Sequence, residues 1–318
     1  MRKIALGAVA LAGVFGIGLF AGRELIRSRE GSDTATLRYS LEAFGEAPAE
    51  LRGYRLLREI ALELREPRGI AVGTDGRLYV CGDQALLVLD LDGNIERRHA
   101  LEGEPSCVAA GSDGTIYLGM QDHLEVLDHA GGSRSWPYLG QEAIITSIAV
   151  TAGGVFVADA GNRAVLRFDA GGMLVGRIGE DYLIPSPYFD MAGAPDGTLW
   201  IADTGRQTLR RYSVEGRLLA SWGRASLDLD AFGGCCNPAH IAALPCGSLV
   251  TSEKGLLRVK VYEPDGTLKA VVALPKDFPP AEAALDLATR KANGGEILVL
   301  VPGKRVVRVY CPKAAADG

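Results

Sequence analysis

Histidine is scarce in this chain of 318 residues: there are four, alongside four methionines and three tryptophans. A zinc centre of the three-histidine kind would need more imidazole in one place than this supplies. Positive charge is not in excess either. Thirty-four Lys and Arg against 39 Asp and Glu leave a net charge of -5. No basic stripe is available to follow a phosphate backbone, and nucleic acid is set aside as a partner. The chain also lacks a glycine-rich phosphate loop, a nucleophile elbow and a paired-histidine helix motif, which leaves enzymatic chemistry few places to reside. Its six cysteines include no CxxC spacing and do not amount to a disulfide framework.

What the chain has in quantity is glycine. Forty-one residues are glycine, and the repeated Asp-Gly and Gly-Gly pairs indicate many tight turns between short strands. Before them comes a different signal. Met1-Arg2-Lys3 is followed by an uncharged run from Ile4 to Gly22, close to the length of a membrane-crossing helix. The run closes on Leu19-Phe20-Ala21, a poor cleavage site, so residues 1–27 are expected to be an uncleaved signal anchor. Arg2 and Lys3 would stay in the cytoplasm and the body would be exported to the extracytoplasmic (periplasmic) side. Arg23, Arg27 and Arg29 beyond the run weaken that charge asymmetry. Residues 28–53, rich in Ser, Glu, Ala, Gly and Arg without sustained period, read as a linker.

From residue 54 the chain repeats. A strand recurs as ALLVLD (85–90), HLEVLD (123–128), AVLRFD (164–169), TLRRYS (208–213), RVKVYE (258–263) and VVRVYC (306–311), at steps of 38, 41, 44, 50 and 48 residues. Ahead of each copy lie a second strand, such as LYV (78–80) or LWI (199–201), and a turn pair such as Asp75-Gly76 or Asp196-Gly197. Further upstream comes a third strand, GIAV (69–72), CVAA (107–110), SIAV (147–150), DMAG (190–193), HIAA (240–243) or DLAT (286–289). A fourth strand follows most units, as in MLVGRIG (173–179), but the sixth unit has no room for one. YRLLREIALEL (54–64) can supply it from the other end of the sequence and close the ring. The expected fold is all-β, a six-bladed β-propeller of four-stranded blades over residues 54–313, behind an N-terminal transmembrane helix.

PRGIAVGTDGRLYV (67–80) and SIAVTAGGVFVADAGNRAVLRFD (147–169) closely resemble the NHL-repeat pattern, and the resemblance extends over residues 54–312. It implies the propeller fold. For function it implies binding scaffolds and a few enzymes, including lyases and lactonases with a metal at the mouth of the central channel, so the site needs its own argument.

In a propeller of this topology, the inter-blade connections and the loops between second and third strands share one face, the top. Inner strands begin there, so Gly69, Cys107, Ser147, Asp190, His240 and Asp286 should ring the channel mouth. Asp190, His240 and Asp286 could hold Ca or Zn, or could solvate the channel and tie neighbouring backbones together. The regular pattern breaks at ASLDLDAFGGCCNPAH (225–240), which with TSEKGLLR (251–258) should bring Cys235, Cys236, Asn237, His240, Glu253, Lys254 and Arg258 to the same face. Three readings of Cys235 and Cys236 stand open: packing or structural disulfides, a redox-active vicinal pair, or soft ligands for copper or zinc, alone or with His240, Asp190 and Asp286, or in contact with a cofactor held by a partner. Cys81 and Cys107, near the top of adjacent blades, could bridge, whereas Cys246 and Cys311 belong to the bottom. His123 is expected in a top loop, with His99 and His129 peripheral. Asp159 and Asp203 should cap turns, and Trp136, Trp200 and Trp222 should pack in or between blades.

Two functions of different class follow. One is a membrane-anchored scaffold that binds a protein or small ligand on its top face. The other is a redox- or metal-linked protein working through Cys235 and Cys236, either in this chain itself or as part of a membrane electron-transfer complex.

Overall fold

The computed structural model describes residues 46–313 apart from Leu91, Glu180 and Ala281. The apolar run 4–22 and the linker as far as residue 45 lie outside the described residues, among which no helix is long and apolar enough to cross a membrane.

Alternating apolar residues between glycine turns can bury one face only by stacking sheet on sheet, and the described residues do so as six four-stranded antiparallel sheets. Blade one comprises Pro67–Val72, Leu78–Gly82, Ala85–Leu89 and Ile95–Ala100; blade two, Cys107–Ala110, Ile116–Gly119, Leu124–Leu127 and Ser133–Ser135. Blade three is Ile145–Thr151, Gly154–Asp159, Ala164–Phe168 and Leu174–Ile178, and blade four is Met191–Gly193, Leu199–Asp203, Thr208–Tyr212 and Leu218–Trp222. His240–Ala243, Leu249–Ser252, Val259–Tyr262 and Leu268–Ala273 make blade five.

Blade six is composite. Leu287–Arg290, Glu296–Val301 and Val306–Pro312 come from the C-terminal end, and the outer strand is Tyr54–Ala61 from the start of the domain. It pairs antiparallel with Val306–Pro312, from Tyr54 opposite Pro312 to Ala61 opposite Val306, with an irregularity at Leu56 to Arg58. The expected ring closure is therefore present. Order begins earlier than the sequence suggests, because Ala49–Leu51 forms a 3-10 turn and Ala47 packs with Leu51 against Val271 and Leu274 of blade five.

Second and third strands are buried on both faces, as in Leu78–Gly82 and Ala85–Leu89, because each blade is sandwiched between two others. Fourth strands such as Ile95–Ala100 and Ser133–Ser135 face solvent, whereas that of blade five, Leu268–Ala273, is largely buried. The core lies between blades: Leu64, Val80 and Leu87 of the first pack against Leu298, Leu300 and Val307 of the sixth. Trp136 sits among Tyr117 and Phe168, and Trp222 among Trp200, Phe232 and Tyr262, which places the tryptophans in packing roles.

Asp159 and Asp203, both wholly buried, pin the preceding inter-blade loops, and Asp159 also caps its own turn. Asp159 accepts from the N–H groups of Asn162 and Ile144, and Asp203 accepts from the N–H of Leu183 while pairing with Arg206 and Arg210. These charge-assisted bonds hold the connections that lead into the inner strands of blades three and four.

Candidate functional site

Inner strands converge on the axis, so the residue at the start of each one meets its counterparts from the other blades. Cys107, Ser147, Asp190, His240 and Asp286 line one cavity of about 70 Å³, together with Arg68, Ser106, Thr146 and Ile70. Gly69 stands where blades one and two approach most closely. A Cβ there would come to 3.0 Å from Cys107 Cα and 3.1 Å from Cys81 Sγ, so a side chain at this ring position would have to displace its neighbours by a few tenths of an ångström.

Much of the polarity around the ring ties blade to blade. Asp190 accepts from its neighbour Met191 N (2.8 Å) and from Ile241 N of blade five (2.7 Å). Asp286 likewise accepts from Leu287 N (2.8 Å) and, across the closure, from Ile70 N of blade one (2.8 Å). Ser147 Oγ accepts from Met191 N, Ser106 Oγ donates to Ile145 O and Ser252 Oγ donates to Leu285 O. Ser106 and Ser252 were not singled out from sequence, where a lone serine beside an inner strand carries no distinguishing pattern.

Those bonds leave each carboxylate oxygen a further lone pair, and His240 stands between the two acids. Its Nδ1 lies 3.5 Å from Asp190 Oδ2 and 3.4 Å from Asp286 Oδ1, and Asp190, His240 and Asp286 each offer one ligand atom within 4.8 Å of the others. Burial pushes the Asp286 carboxyl up to about 6, opposed by His240 and reinforced by Asp190. Burial works against a charged His240, yet the hydrogen bond to Asp190 and the charges of both acids raise its pKa. The cluster thus prefers to hold positive charge between two carboxylates, as a proton or as a metal ion.

The cysteines do not join it. Among the described residues, the metal-ligand grouping contains no sulfur, so the five-residue set of Cys235, Cys236, His240, Asp190 and Asp286 is not assembled. Cys81 and Cys107 are both buried and unbridged, and burial raises both thiols, Cys107 to about 12, which leaves them inert at neutral pH. Cys311 is buried in the outer part of blade six, and Cys246 sits in a turn beside Ser248. His123 pairs with Asp122 and Glu125, away from the cluster. His99 and His129 line a separate cavity of about 260 Å³ beside Asp75, Arg77 and Glu96, whose charges are paired among themselves.

Glu253 and Arg258 do not face a ligand either; both are wholly buried, and with them is Lys260. Glu253 receives Arg258 at 2.9 and 2.7 Å and Lys260 at 2.9 Å, as well as Gly233 N at 2.8 Å. The two cations then donate to the carbonyls of Leu227, Asp228, Leu229 and Ala231. This triad anchors the 225–240 insertion. Asn237 is buried too, and its amide clamps Lys254, accepting from Lys254 N (2.9 Å) and donating to Lys254 O (3.1 Å) and Gly233 O (2.6 Å). The Lys254 ammonium lies 4.5 Å from the centre of the Tyr188 ring, whose edge contacts His240 at a centroid distance of 6.0 Å. Of the insertion residues expected at the top face, Cys235 is exposed, Lys254 and His240 are half-buried, and the others hold them in place.

No protein-family model matches the chain, and no curated protein matches it in sequence. Solved structures do match in fold. A catalytically inactive histidine-to-alanine variant of virginiamycin B lyase from Staphylococcus aureus, with quinupristin, is 13% identical, with a TM-score of 0.58 over 82% of this chain and 100% of that one. A selenomethionine form of the same S. aureus lyase is 15% identical, with a TM-score of 0.55 over 82% of this chain and 90% of that one. A streptogramin B lyase is also 15% identical, with a TM-score of 0.56 over 84% and 90% respectively. At this identity the likeness establishes the six-bladed propeller fold and nothing about chemistry.

Proposed function

We propose that this protein is an NHL-type binding scaffold, tethered to a membrane by its N-terminal segment, whose top face grips a small ligand or protein around a divalent cation at the channel mouth. The observation that carries this reading is the convergence of Asp190, His240 and Asp286 on one polar cavity. Two carboxylates and one imidazole form a donor set that suits Zn better than Ca, which prefers oxygen alone. Without thiolate ligands, Cu(I) is not favoured. The cavity has room for a water or two to complete the shell, or for a ligand oxygen in their place.

The tether is supported by the uncharged run Ile4 to Gly22 behind Arg2 and Lys3, and export is supported by the same run. The likeness to streptogramin lyases supports the fold, and the chemistry of those enzymes is not carried over to this chain.

Metal analysis of the purified full chain, with melting curves in Zn²⁺ and Ca²⁺, tests the site. Zinc should be retained at one ion per chain. It should also stabilise the fold, by about 2.7 kcal/mol at a hundredfold excess over its dissociation constant. Asp190→Asn or His240→Ala should abolish the effect. A wild-type chain that carries no metal and whose melting ignores both cations would overturn the proposal.

A further inference from the structure

The insertion in blade five presents a pair of sulfurs that the channel-mouth reading does not use. Adjacent side chains of an extended chain point to opposite sides, but Cys235 and Cys236 do not. Gly234 at φ 68° and Cys236 at φ 62° take left-handed backbone, and the two Sγ atoms come to 2.9 Å while both thiols remain free. A non-glycine residue in that region is disfavoured and persists only where surrounding structure imposes it. Here the surroundings do impose it. Gly233 N is held by the buried Glu253, Asn237 clamps Gly233 to Lys254, and Gln207 donates to Gly234 O. The thiols also differ in access: Cys235 is exposed, and Cys236 is 2% accessible beneath it.

We propose that Cys235 and Cys236 form a thiol–disulfide exchange site, with Cys235 the attacking thiol and Cys236 the resolving one, acting on an accessible disulfide of a partner molecule. Cys235, as thiolate, attacks one substrate sulfur, forming a mixed disulfide and breaking the substrate S–S bond; the released thiolate takes up a proton from solvent. Cys236 then gives its proton to solvent and attacks Cys235 Sγ, expelling the second substrate thiolate, which is protonated in turn. Two electrons pass to the substrate, which leaves as two thiols, and the protein holds a Cys235–Cys236 disulfide. An external dithiol reverses the sequence. The order of attack follows from access, since only Cys235 can be reached, and the 2.9 Å contact places the resolving sulfur beside it. The hydrogen bond of the Cys235 thiol with Cys236 and the charge of that neighbour raise its pKa, and Lys254 opposes the rise only in part. Exchange should therefore be slow at neutral pH and accelerate in alkali.

Oxidised glutathione serves as the probe, with the full reduced chain. Release of glutathione thiol is followed over time, and the protein is mapped by mass spectrometry after alkylation. The expected product is two thiols released for each Cys235–Cys236 peptide oxidised, that peptide 2 Da lighter (about twice the mass of one hydrogen), counted apart from the single thiol that the exposed Cys246 releases as it takes up glutathione. Cys236→Ser should stop at one thiol released and one glutathione on Cys235, and Cys235→Ser should slow release by about tenfold or more. The wild-type product decides the matter even if a variant does not fold. A stable glutathione adduct on wild-type Cys235, oxidation confined to Cys246, or a Cys235→Ser chain as fast as wild type would each overturn the proposal.

Discussion

Three charged side chains with no solvent access sit within one strand-loop-strand unit of blade five, and among the described residues Glu253 is the carboxylate that pairs with both Arg258 and Lys260. Removing one member of a buried ion pair leaves the others uncompensated, which typically costs 3–5 kcal/mol, whereas an apolar replacement that removes surplus charge is far cheaper. Glu253→Gln strands two cations and should cost about 3–5 kcal/mol in urea unfolding. Lys260→Met removes the second cation and should cost clearly less; equal losses would mean that the triad does not behave as a unit. The pH dependence adds a sign. Burial lowers the Lys260 ammonium from its ordinary 10.5 to about 8, with Arg258 adding to the shift and Glu253 opposing it. The unfolded chain then binds more protons than the fold between pH 8 and 10.5, so this residue's contribution to stability rises with pH over that window. The stability of wild type relative to Lys260→Met should increase by about 2 kcal/mol between pH 8 and pH 10. A gap that stays flat would contradict the lowered value. At this scale the sequence was least informative. RVKVY places Lys260 between Val259 and Val261 on the opposite face of a strand, but the loop that buries it is brought there by the fold, and no local pattern announces it.

Elements were far more legible, because each strand's period is written locally and then repeated. CVAA (107–110) and HIAA (240–243) appear as inner strands with the expected bounds, and the turn glycines Gly76 and Gly197 take φ near 82° as hairpins require. The ring positions of Asp190, His240 and Asp286 followed from the same register, since the start of an inner strand is fixed by topology. The irregular segment 225–240 and the loop 251–258 packed against it have no repeat to orient them, and there Asn237, Glu253 and Arg258, expected at the face, lie in the interior. The closing strand is the element whose role is most exposed to test. Tyr54–Ala61 contributes Ile60, buried against the blade-one and blade-six core, and covers an edge that would otherwise offer unpaired backbone groups. Ile60→Ala should cost about 2–4 kcal/mol. Deleting 54–61 should go further, lowering the melting temperature of the whole domain and promoting aggregation through the bared edge of Val306–Pro312. An unchanged melting curve for the deletion would remove the closing role.

At the scale of the whole molecule, the question is why the first and last strands of the propeller meet inside a blade and not between two blades. Tyr54 lies opposite Pro312, and Lys313 N donates to Gly53 O at 2.8 Å, so closure uses a full strand ladder of backbone hydrogen bonds. Contacts between blades are of another kind: side-chain packing, as between Tyr79, Leu86, Val108 and Leu118 of blades one and two, and single polar ties such as Arg68 to Glu104. If the seam depends on the ladder, moving it to another blade should be tolerated, whereas moving it to an inter-blade gap should not. The neighbouring ends, 53 and 313, can be joined by a short flexible linker at small entropic cost. A permutant of residues 54–313 opened at Gly93, between the third and fourth strands of blade one, keeps a composite blade. One opened at Gly103, between blades one and two, leaves the seam to packing alone. The first should unfold cooperatively near the urea midpoint of the linear 54–313 segment and the second at a clearly lower one. Equal midpoints would show that inter-blade packing suffices to close the ring.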